Sequence, residues 1–149
     1  MSSAITTAIA ISVLVVIVSI LGYYYATGIW PGAKIIQQRP TLDNTIPPGT
    51  AKFMFFYASW CPYCKDAVPV LDSLKQLIRN SNYTYGGHAV SFEDINAYTD
   101  KGKAALYKIK AYPTFKVETK DNLYEMVGKP TVSNFRAFLV SALGPEKSG

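Results

Sequence analysis

The sequence predicts an α/β fold, with a central mixed sheet and helices on both faces, preceded by one N-terminal transmembrane helix. From Lys52 onward, segments typical of strands and helices follow one another as strand, helix, strand, helix, strand, strand, helix. No charged side chain occurs from Met1 to Ala33. We therefore divide the chain into a membrane anchor, a linker, an α/β domain and a tail, at residues 1–30, 31–50, 51–144 and 145–149.

The anchor is predicted from an apolar stretch of membrane-spanning length. As a helix, the span Ile5–Tyr25 would extend about 31 Å, which matches the hydrocarbon core of a bilayer. Tyr23, Tyr24, Tyr25 and Trp30 form an aromatic group suited to one membrane interface. A cleaved signal peptide is the alternative, but no basic region precedes the stretch and no A-x-A site follows it. We expect an uncleaved single-pass membrane protein.

Charges beyond the span bear on its orientation. Lys34, Arg39 and Lys52 all follow the span, so the positive-inside rule favours the α/β domain on the cytosolic side. The opposite orientation stays open because Asn82-Tyr83-Thr84 is an N-glycosylation sequon, which is used only in a lumen. An unmodified loop asparagine is the other interpretation of that tripeptide.

Local composition predicts the linker and the first strand and helix of the domain. Pro31–Thr50 is rich in proline with little periodicity, which is typical of a spacer, and within it Ala33–Gln37 is compatible with an edge strand. Phe53–Tyr57 is an apolar run of the buried-strand type. A helix over Cys61–Asn80 is predicted from apolar residues at three- and four-residue spacing, namely Val68, Leu71, Leu74 and Ile78, with Ala67, Val70 and Leu77 alongside.

The middle of the domain is predicted as a loop, a short strand and a short helix. Ser81–Gly87 is polar and has two glycines, which indicates a loop. Ala89–Phe92 is predicted as a strand that ends at Glu93-Asp94. Asp100 is suited to cap a helix that continues through Lys108 and buries Ala104, Ala105 and Leu106.

The last third is predicted as a hairpin, a helix and a tail. Asp121-Asn122 separates two strand-like segments and indicates a hairpin turn. Thr131 precedes a helix whose apolar face comprises Val132, Phe135, Phe138, Leu139 and Ala142. Glu146–Gly149 is predicted to be a frayed tail.

Composition excludes several classes of function. The chain has 149 residues and a net charge of +5, and it holds no nucleic-acid-binding motif, so we expect no nucleic-acid partner. Lysines 101, 103, 108 and 110 surround a predicted helix and are interpreted as a solvated face. Two cysteines and the single His88, interpreted as a surface residue, cannot supply four zinc ligands from one copy, so we expect no metal site.

The two cysteines lie where a strand turns into a helix. Cys61 is predicted at the helix N-terminus, where unpaired N–H groups and the positive end of the dipole stabilise a thiolate, which makes it the nucleophile. Cys64 follows at i+3 on the same face, where it can attack a mixed disulfide formed on Cys61. Pro62 suits the first helical position. The pattern predicts a dithiol that exchanges disulfides.

Three segments resemble the thioredoxin family. They are Trp60-Cys61-Pro62-Tyr63-Cys64 after an apolar strand, Ala111–Phe115, which is similar to the family's strand start with its cis-proline, and Val127-Gly128 before the last helix. The resemblance covers about Lys52–Leu143. It implies a thioredoxin-like fold that needs no cofactor and acts as a monomer on protein disulfides or dithiols together with a redox partner. The substrate-binding residues that it implies are Trp60, Pro62, Tyr63, Tyr112, Pro113 and Gly128.

Two positions depart from the family pattern. Phe55 stands where the family usually has a buried acid, and the lysine partner of that acid would fall near Phe92. We therefore expect Cys64 to resolve mixed disulfides slowly, unless water or Glu93 takes over as the proton acceptor. The Pro62-Tyr63 dipeptide is the one found in glutaredoxins, although Trp60 is not typical of them.

Three alternative functions remain open at this point. One is a glutathione-dependent, glutaredoxin-like reductase, which the Pro62-Tyr63 dipeptide would suit. Another is a membrane-tethered binding module that uses the thioredoxin fold without turnover. The third is metal delivery through the thiolate pair.

Overall fold

The computed structural model describes residues 2–27, 36–38 and 46–149, and the chain divides into the units Met1–Lys34 and Ile35–Gly149. The described part of the first unit is one helix, α1, at Ser2–Thr27. Its segment Ser3–Ala26 has a mean hydropathy of 2.7 and, by length and composition, could cross a membrane; a signal sequence near the N-terminus has the same properties. Its hydroxyls bond to the helix's own carbonyls, as Ser12 does to Ala8 at 2.9 Å.

The second unit is built on one mixed sheet. Its strands are β1 at Ile36–Gln38, β2 at Thr50–Tyr57, β3 at Thr84–Tyr85, β4 at His88–Asn96, β5 at Thr114–Glu118, β6 at Leu123–Glu125 and β7 at Glu146–Lys147. They lie in the order β1-β6-β5-β2-β4-β3-β7. Only the central pair, β2 with β4, is parallel among the described pairings, and every other pair is antiparallel.

Helices cover both faces of this sheet. They are α2 at Pro62–Ser81, α3 at Lys101–Leu106 and α4 at Val132–Leu143. Alternate side chains of β2 point to opposite faces, so Phe53 and Phe55 pack with α2 and α4 while Met54 and Phe56 pack beside α3. The continuous apolar run of β2 is explained by this burial on both sides. The predicted α/β fold, a mixed sheet between helices after an apolar N-terminal helix, is confirmed.

The region between α2 and α3 differs from the predicted loop and short strand. Asn82, with φ of 47°, caps α2, and Thr84–Tyr85 forms the strand β3 inside the predicted loop. Strand β4 continues through Asn96, beyond its predicted end at Glu93-Asp94. The prediction failed because both acidic residues find lysine partners: Glu93 pairs with Lys103, and Asp94 lies 2.8 Å from Lys75.

Helix α3 is shorter than predicted and buries a different residue. Asp100 is its cap, as predicted, and accepts a hydrogen bond from the Lys103 N–H at 3.0 Å. The helix ends at Leu106, which is 51% exposed instead of buried. Tyr107 takes the core position, and its hydroxyl donates to Glu118 at 2.5 Å. The predicted burial of Ala105 and Leu106 is therefore wrong, because the helix ends at Leu106 and the next residue, Tyr107, takes the buried position.

Both ends of the domain contribute strands. Within the predicted linker, Ile36–Gln38 pairs antiparallel with β6, close to the expected edge strand. The predictions for Trp30, Lys34 and Arg39 lie outside the described residues. The predicted frayed tail is wrong, because β7 pairs with β3 and the Glu146 carboxylate accepts hydrogen bonds from the Tyr85 hydroxyl at 2.6 Å and from Arg136 Nε at 3.0 Å.

Candidate functional site

The two cysteines lie at the junction between β2 and α2. Cys61 is the N-cap of α2, with extended backbone angles, and Pro62 begins the helix. The Cys61 N–H donates to the Ala58 carbonyl at 3.0 Å, which closes a tight turn after the strand. The strand-to-helix junction predicted from the sequence is therefore present, and it puts Cys61 beside the unpaired N–H groups of the first helical turn.

A backbone donor points at the sulfur of Cys61. The Cys64 N–H donates to Cys61 Sγ at a distance of 3.3 Å, and both cysteines are free thiols. A donor at a helix N-terminus stabilises negative charge on the atom that it faces. Cys61 and Cys64 retain only 4% and 2% exposure, so both thiols are sheltered from bulk solvent.

The second thiol is held in the protonated state at neutral pH. Burial raises the pKa of Cys64 to about 11, and its hydrogen bond with Cys61 acts in the same direction. A backbone hydrogen bond from Ala58 opposes this shift. Ala58 is the site residue that sequence reasoning missed; the small side chain immediately after an aromatic strand was the available signal.

The wall behind the cysteines is aromatic. Phe55, which is 2% exposed, stacks on Phe115 with a centroid distance of 5.1 Å and on Tyr57 at 5.3 Å. It belongs to the same buried cluster as both cysteines. The acidic position of the family pattern is therefore filled by an apolar ring that cannot accept a proton.

The register corrects two expectations about neighbouring groups. Phe92 lies opposite Phe53, and the residue opposite Phe55 on β4 is Asp94, whose carboxylate turns to Lys75 on α2. Glu93 cannot serve as the substitute proton acceptor, because it lies on the face of Met54 and binds Lys103 and Lys52 there. The cysteines pack with Phe53 and Phe55, whose side chains point to the other face of the sheet.

The proline loop reaches the same end of the sheet. Tyr112-Pro113 is a cis peptide, as the family resemblance implied, and it directly precedes β5. Thr114 then pairs with Phe56, next to the end of β2. The Trp60 ring meets the Tyr112 ring edge-on with centroids 6.1 Å apart, so the cysteine turn and the proline loop are in contact.

The remaining predicted substrate-binding residues are exposed. Trp60 and Tyr63 are 63% and 72% exposed, and Pro62 is exposed as well. Gly128 is exposed in the loop after β6, and its φ of 133° suits glycine. That loop begins where the Met126 N–H donates to the Phe115 carbonyl at 2.9 Å, which is on the proline-loop side of the sheet.

No group of three metal-ligating side chains occurs in the part of the chain that the structure describes. His88 begins β4, at the other end of the sheet from the cysteines, and its Nδ1 lies 3.3 Å from the Tyr85 carbonyl oxygen. This imidazole is therefore not part of the dithiol site.

Comparisons with known proteins agree with this geometry. The chain is 30% identical over 90 residues to human DnaJ homolog subfamily C member 10, and 25% identical over 97 residues to protein disulfide-isomerase 1 of Caenorhabditis elegans. These segments are 60% and 65% of this chain, but only 10% and 18% of the two relatives. The match thus involves one domain of much longer proteins.

Solved structures share the fold. The first thioredoxin domain of mouse protein disulfide-isomerase A4 superposes with a TM-score of 0.57 at 18% identity, covering 75% of this chain and 81% of that one. Thioredoxin from Fasciola hepatica gives 0.51 at 21% identity, covering 62% and 81%.

A family model supplies the identification. The model of the thioredoxin family, described as Thioredoxin, matches residues 41–141, which is more than half of the chain. Two of the matched relatives are named protein disulfide-isomerases. The chain belongs to the thioredoxin family.

Proposed function

We propose that this protein is a membrane-anchored thiol–disulfide oxidoreductase that exchanges disulfides with protein substrates through Cys61 and Cys64. The observation that carries the proposal is the asymmetry of the pair. Cys61 Sγ receives the Cys64 N–H at a helix N-terminus, while the Cys64 thiol is buried and keeps its proton. Cys61 is thus suited to attack the client disulfide first, and Cys64 to attack in the second step.

The exchange runs in two balanced steps. The Cys61 thiolate attacks one sulfur of a client disulfide, forms a mixed disulfide and releases the other client sulfur as a thiolate, which takes up a proton. Cys64 then loses its proton, attacks Cys61 Sγ and releases the second client thiol. The client gains two electrons and two protons, and the protein keeps a Cys61–Cys64 disulfide. The reverse sequence oxidises a client, and reduction potentials decide the direction.

The surroundings of the dithiol suit a polypeptide client. Trp60 and Tyr63 are large exposed rings beside the sulfurs, and an exposed apolar patch of this kind binds flexible protein segments. The backbone of Tyr112 beside the Pro113 loop is suited to pair with an extended client segment. Relatives named as protein disulfide-isomerases support the same substrate class.

The apolar helix supports the membrane-anchored part of the proposal. Segment Ser3–Ala26 is about 36 Å long as a helix, enough for the hydrocarbon core of a bilayer. A tether restricts the dithiol to clients within reach of one membrane and raises their effective concentration. We favour the cytosolic side for the domain, since the first positive charges of the chain follow the span.

Cysteine variants of the full chain in a nonionic detergent test the proposal. We expect Cys61→Ser to abolish the reduction of insulin disulfides supported by a small dithiol. Cys64→Ser should accumulate a mixed disulfide with the client, because the resolving thiol is gone. Nonreducing electrophoresis detects the adduct, and the double variant is its control. Full client binding by Cys61→Ser with no adduct in Cys64→Ser would favour a binding module without turnover.

A further inference from the structure

A buried tyrosine anchors the connection between α3 and β5. This connection, residues 107–113, begins at Tyr107, which is 1% exposed and packs its ring against Phe56 with a centroid distance of 5.4 Å. The Tyr107 hydroxyl donates to the Glu118 carboxylate, which is equally buried, at 2.5 Å. Since Glu118 is the last residue of β5, this hydrogen bond joins the start of the connection to the far end of the strand that the connection enters.

The helix end beside Tyr107 fixes the direction of the chain. Lys108 has a φ of 53°, in the left-handed region, and its N–H donates to the Ala105 carbonyl at 3.0 Å. The Ile109 N–H donates to the Ala104 carbonyl at 2.9 Å, which completes the Schellman pattern of a helix end. A left-handed residue other than glycine is unfavourable and persists where its surroundings require it. Tyr107 and Ile109 pack in the same apolar cluster, which keeps Lys108 in this conformation.

The other end of the connection lies at the dithiol. The Tyr112 ring contacts the Trp60 ring edge-on, with centroids 6.1 Å apart. Tyr112 is half-buried and packs against two apolar clusters, one that contains Cys61 and Cys64 and one that contains Tyr107. The buried anchor at Tyr107 and the half-buried residue beside the cysteines therefore belong to one short segment that is fixed at both ends.

We infer that the hydrogen bond from Tyr107 to Glu118 positions the Tyr112 backbone for client peptides. This inference rests on the proposed function, in which an extended client segment pairs with that backbone. Such pairing requires N–H and C=O groups that are held within a fraction of an ångström of the productive geometry. Loss of the Tyr107 hydroxyl should therefore weaken peptide docking, whereas Cys61, on the turn between β2 and α2, keeps its reactivity. The two-step exchange and its electron balance are unchanged.

The variant Tyr107→Phe tests this inference with two disulfides. Reduced full-length protein in nonionic detergent is mixed either with a peptide whose disulfide lies in an extended segment or with hydroxyethyl disulfide, which has no peptide group. An alkylating reagent quenches each single-turnover reaction. We expect the rate with the peptide to fall roughly fivefold and the rate with the small disulfide to stay at the parent's value. The ratio of the two rates cancels any change in the intrinsic reactivity of Cys61.

Tyr85→Phe is the matched control. Tyr85 is also buried and donates its hydroxyl to a glutamate, Glu146, at 2.6 Å, but it lies on β3, which β2 and β4 separate from β5. Denaturant unfolding measures the stability that each variant loses, and only Tyr107→Phe should lower the rate ratio. An unchanged ratio in Tyr107→Phe, or an equal fall in both variants, would overturn the inference. A parent protein that does not react with the peptide would instead count against the proposed exchange with protein substrates.

Discussion

Cys64 is the residue whose environment governs the second half of the exchange. Its thiol must lose a proton before it can attack, yet burial raises its pKa to about 11. The aromatic wall formed by Phe55, Tyr57 and Phe115 supplies no proton acceptor. We therefore expect mixed disulfides on Cys61 to be long-lived at neutral pH.

The pH dependence of resolution tests this expectation. Burial, the largest cause of the raised Cys64 pKa, persists when Cys61 is in a mixed disulfide, whereas the contribution of the free Cys61 thiol is lost. The thiolate fraction and the resolution rate should therefore rise about tenfold per pH unit above neutrality until the pKa of Cys64 in the mixed disulfide is reached. An aromatic disulfide reagent that releases one coloured thiolate at attack and a second at resolution separates the two steps. A pH-independent second phase would contradict the assigned role of the buried thiol.

A pair of variants tests whether an acidic side chain at position 55 speeds the resolution of mixed disulfides. Phe55→Asp puts a carboxylate into the wall and should raise the neutral resolution rate by at least about tenfold through general-base catalysis. Phe55→Asn is its match, since it loses the same aromatic packing but cannot accept a proton. Equal resolution rates in the two variants would show that a carboxylate at this position has no effect on Cys64.

Part of this site could be predicted from the sequence alone. The cysteine pair and Pro62 at the helix start follow from local motifs, and the cis bond at Pro113 was implied by the family resemblance. The partner of Phe55 and the position of Glu93 could not be predicted, because they depend on the register between β2 and β4. A shift of two residues changes the opposite neighbour, and strand alternation decides the face.

At the scale of elements, the C-terminal strand β7 is the main unexpected feature. Its Glu146 carboxylate joins Arg136 on α4 and Tyr85 on β3, so one side chain connects a helix, an inner strand and the chain end. Arg136 and the Tyr85 hydroxyl hold the pKa of Glu146 below its usual value, against the effect of burial. The ionised form is therefore the one that the fold stabilises.

Removing this carboxylate should destabilise the domain. We expect Glu146→Ala to lower the free energy of unfolding by about 1–2 kcal/mol, since hydrogen bonds to a charged group are lost. Lys147→Ala, at the exposed neighbouring position, should change stability little. Because the Glu146 pKa is lowered on folding, its contribution is present above the usual carboxyl range and lost as pH falls through the lowered value. Denaturant unfolding of both variants, at neutral and acidic pH, measures the difference.

Element prediction succeeded where periodicity is long and failed where strands are short. Helices α2 and α4 were recognised from apolar spacing over several turns, and Thr131 caps α4 as expected. The two-residue strands β3 and β7 contain too few residues to show alternation. Their pairing depends on chain segments about sixty residues apart, which no local pattern reports.

At the scale of the whole molecule, the orientation across a membrane can be read from Asn82. Its side chain is exposed at the end of α2, and Thr84 completes the sequon. If the domain faces the cytosol, as we propose, the full chain expressed in eukaryotic cells should carry no glycan at Asn82. Endoglycosidase treatment should then leave its electrophoretic mobility unchanged.

A second glycosylation site on the other side of the span provides a positive control for this result. A glycosylatable peptide fused ahead of Met1 should be modified in the same cells, because it would lie across the membrane from the domain. Asn82→Gln serves as the control for the internal site. A mobility shift that depends on Asn82 would contradict the cytosolic orientation and favour a lumenal one.

The short strands at both edges of the sheet bear on the tendency of the domain to aggregate. Strand β1 has three residues and β7 has two, and these are the outermost strands in the described order. Long rim strands invite other polypeptides to add on and start aggregates. The described parts of these edge strands therefore offer little backbone to which a second polypeptide could add. In the proposed role, in which the domain meets unfolded proteins, short edge strands should limit its incorporation into their aggregates.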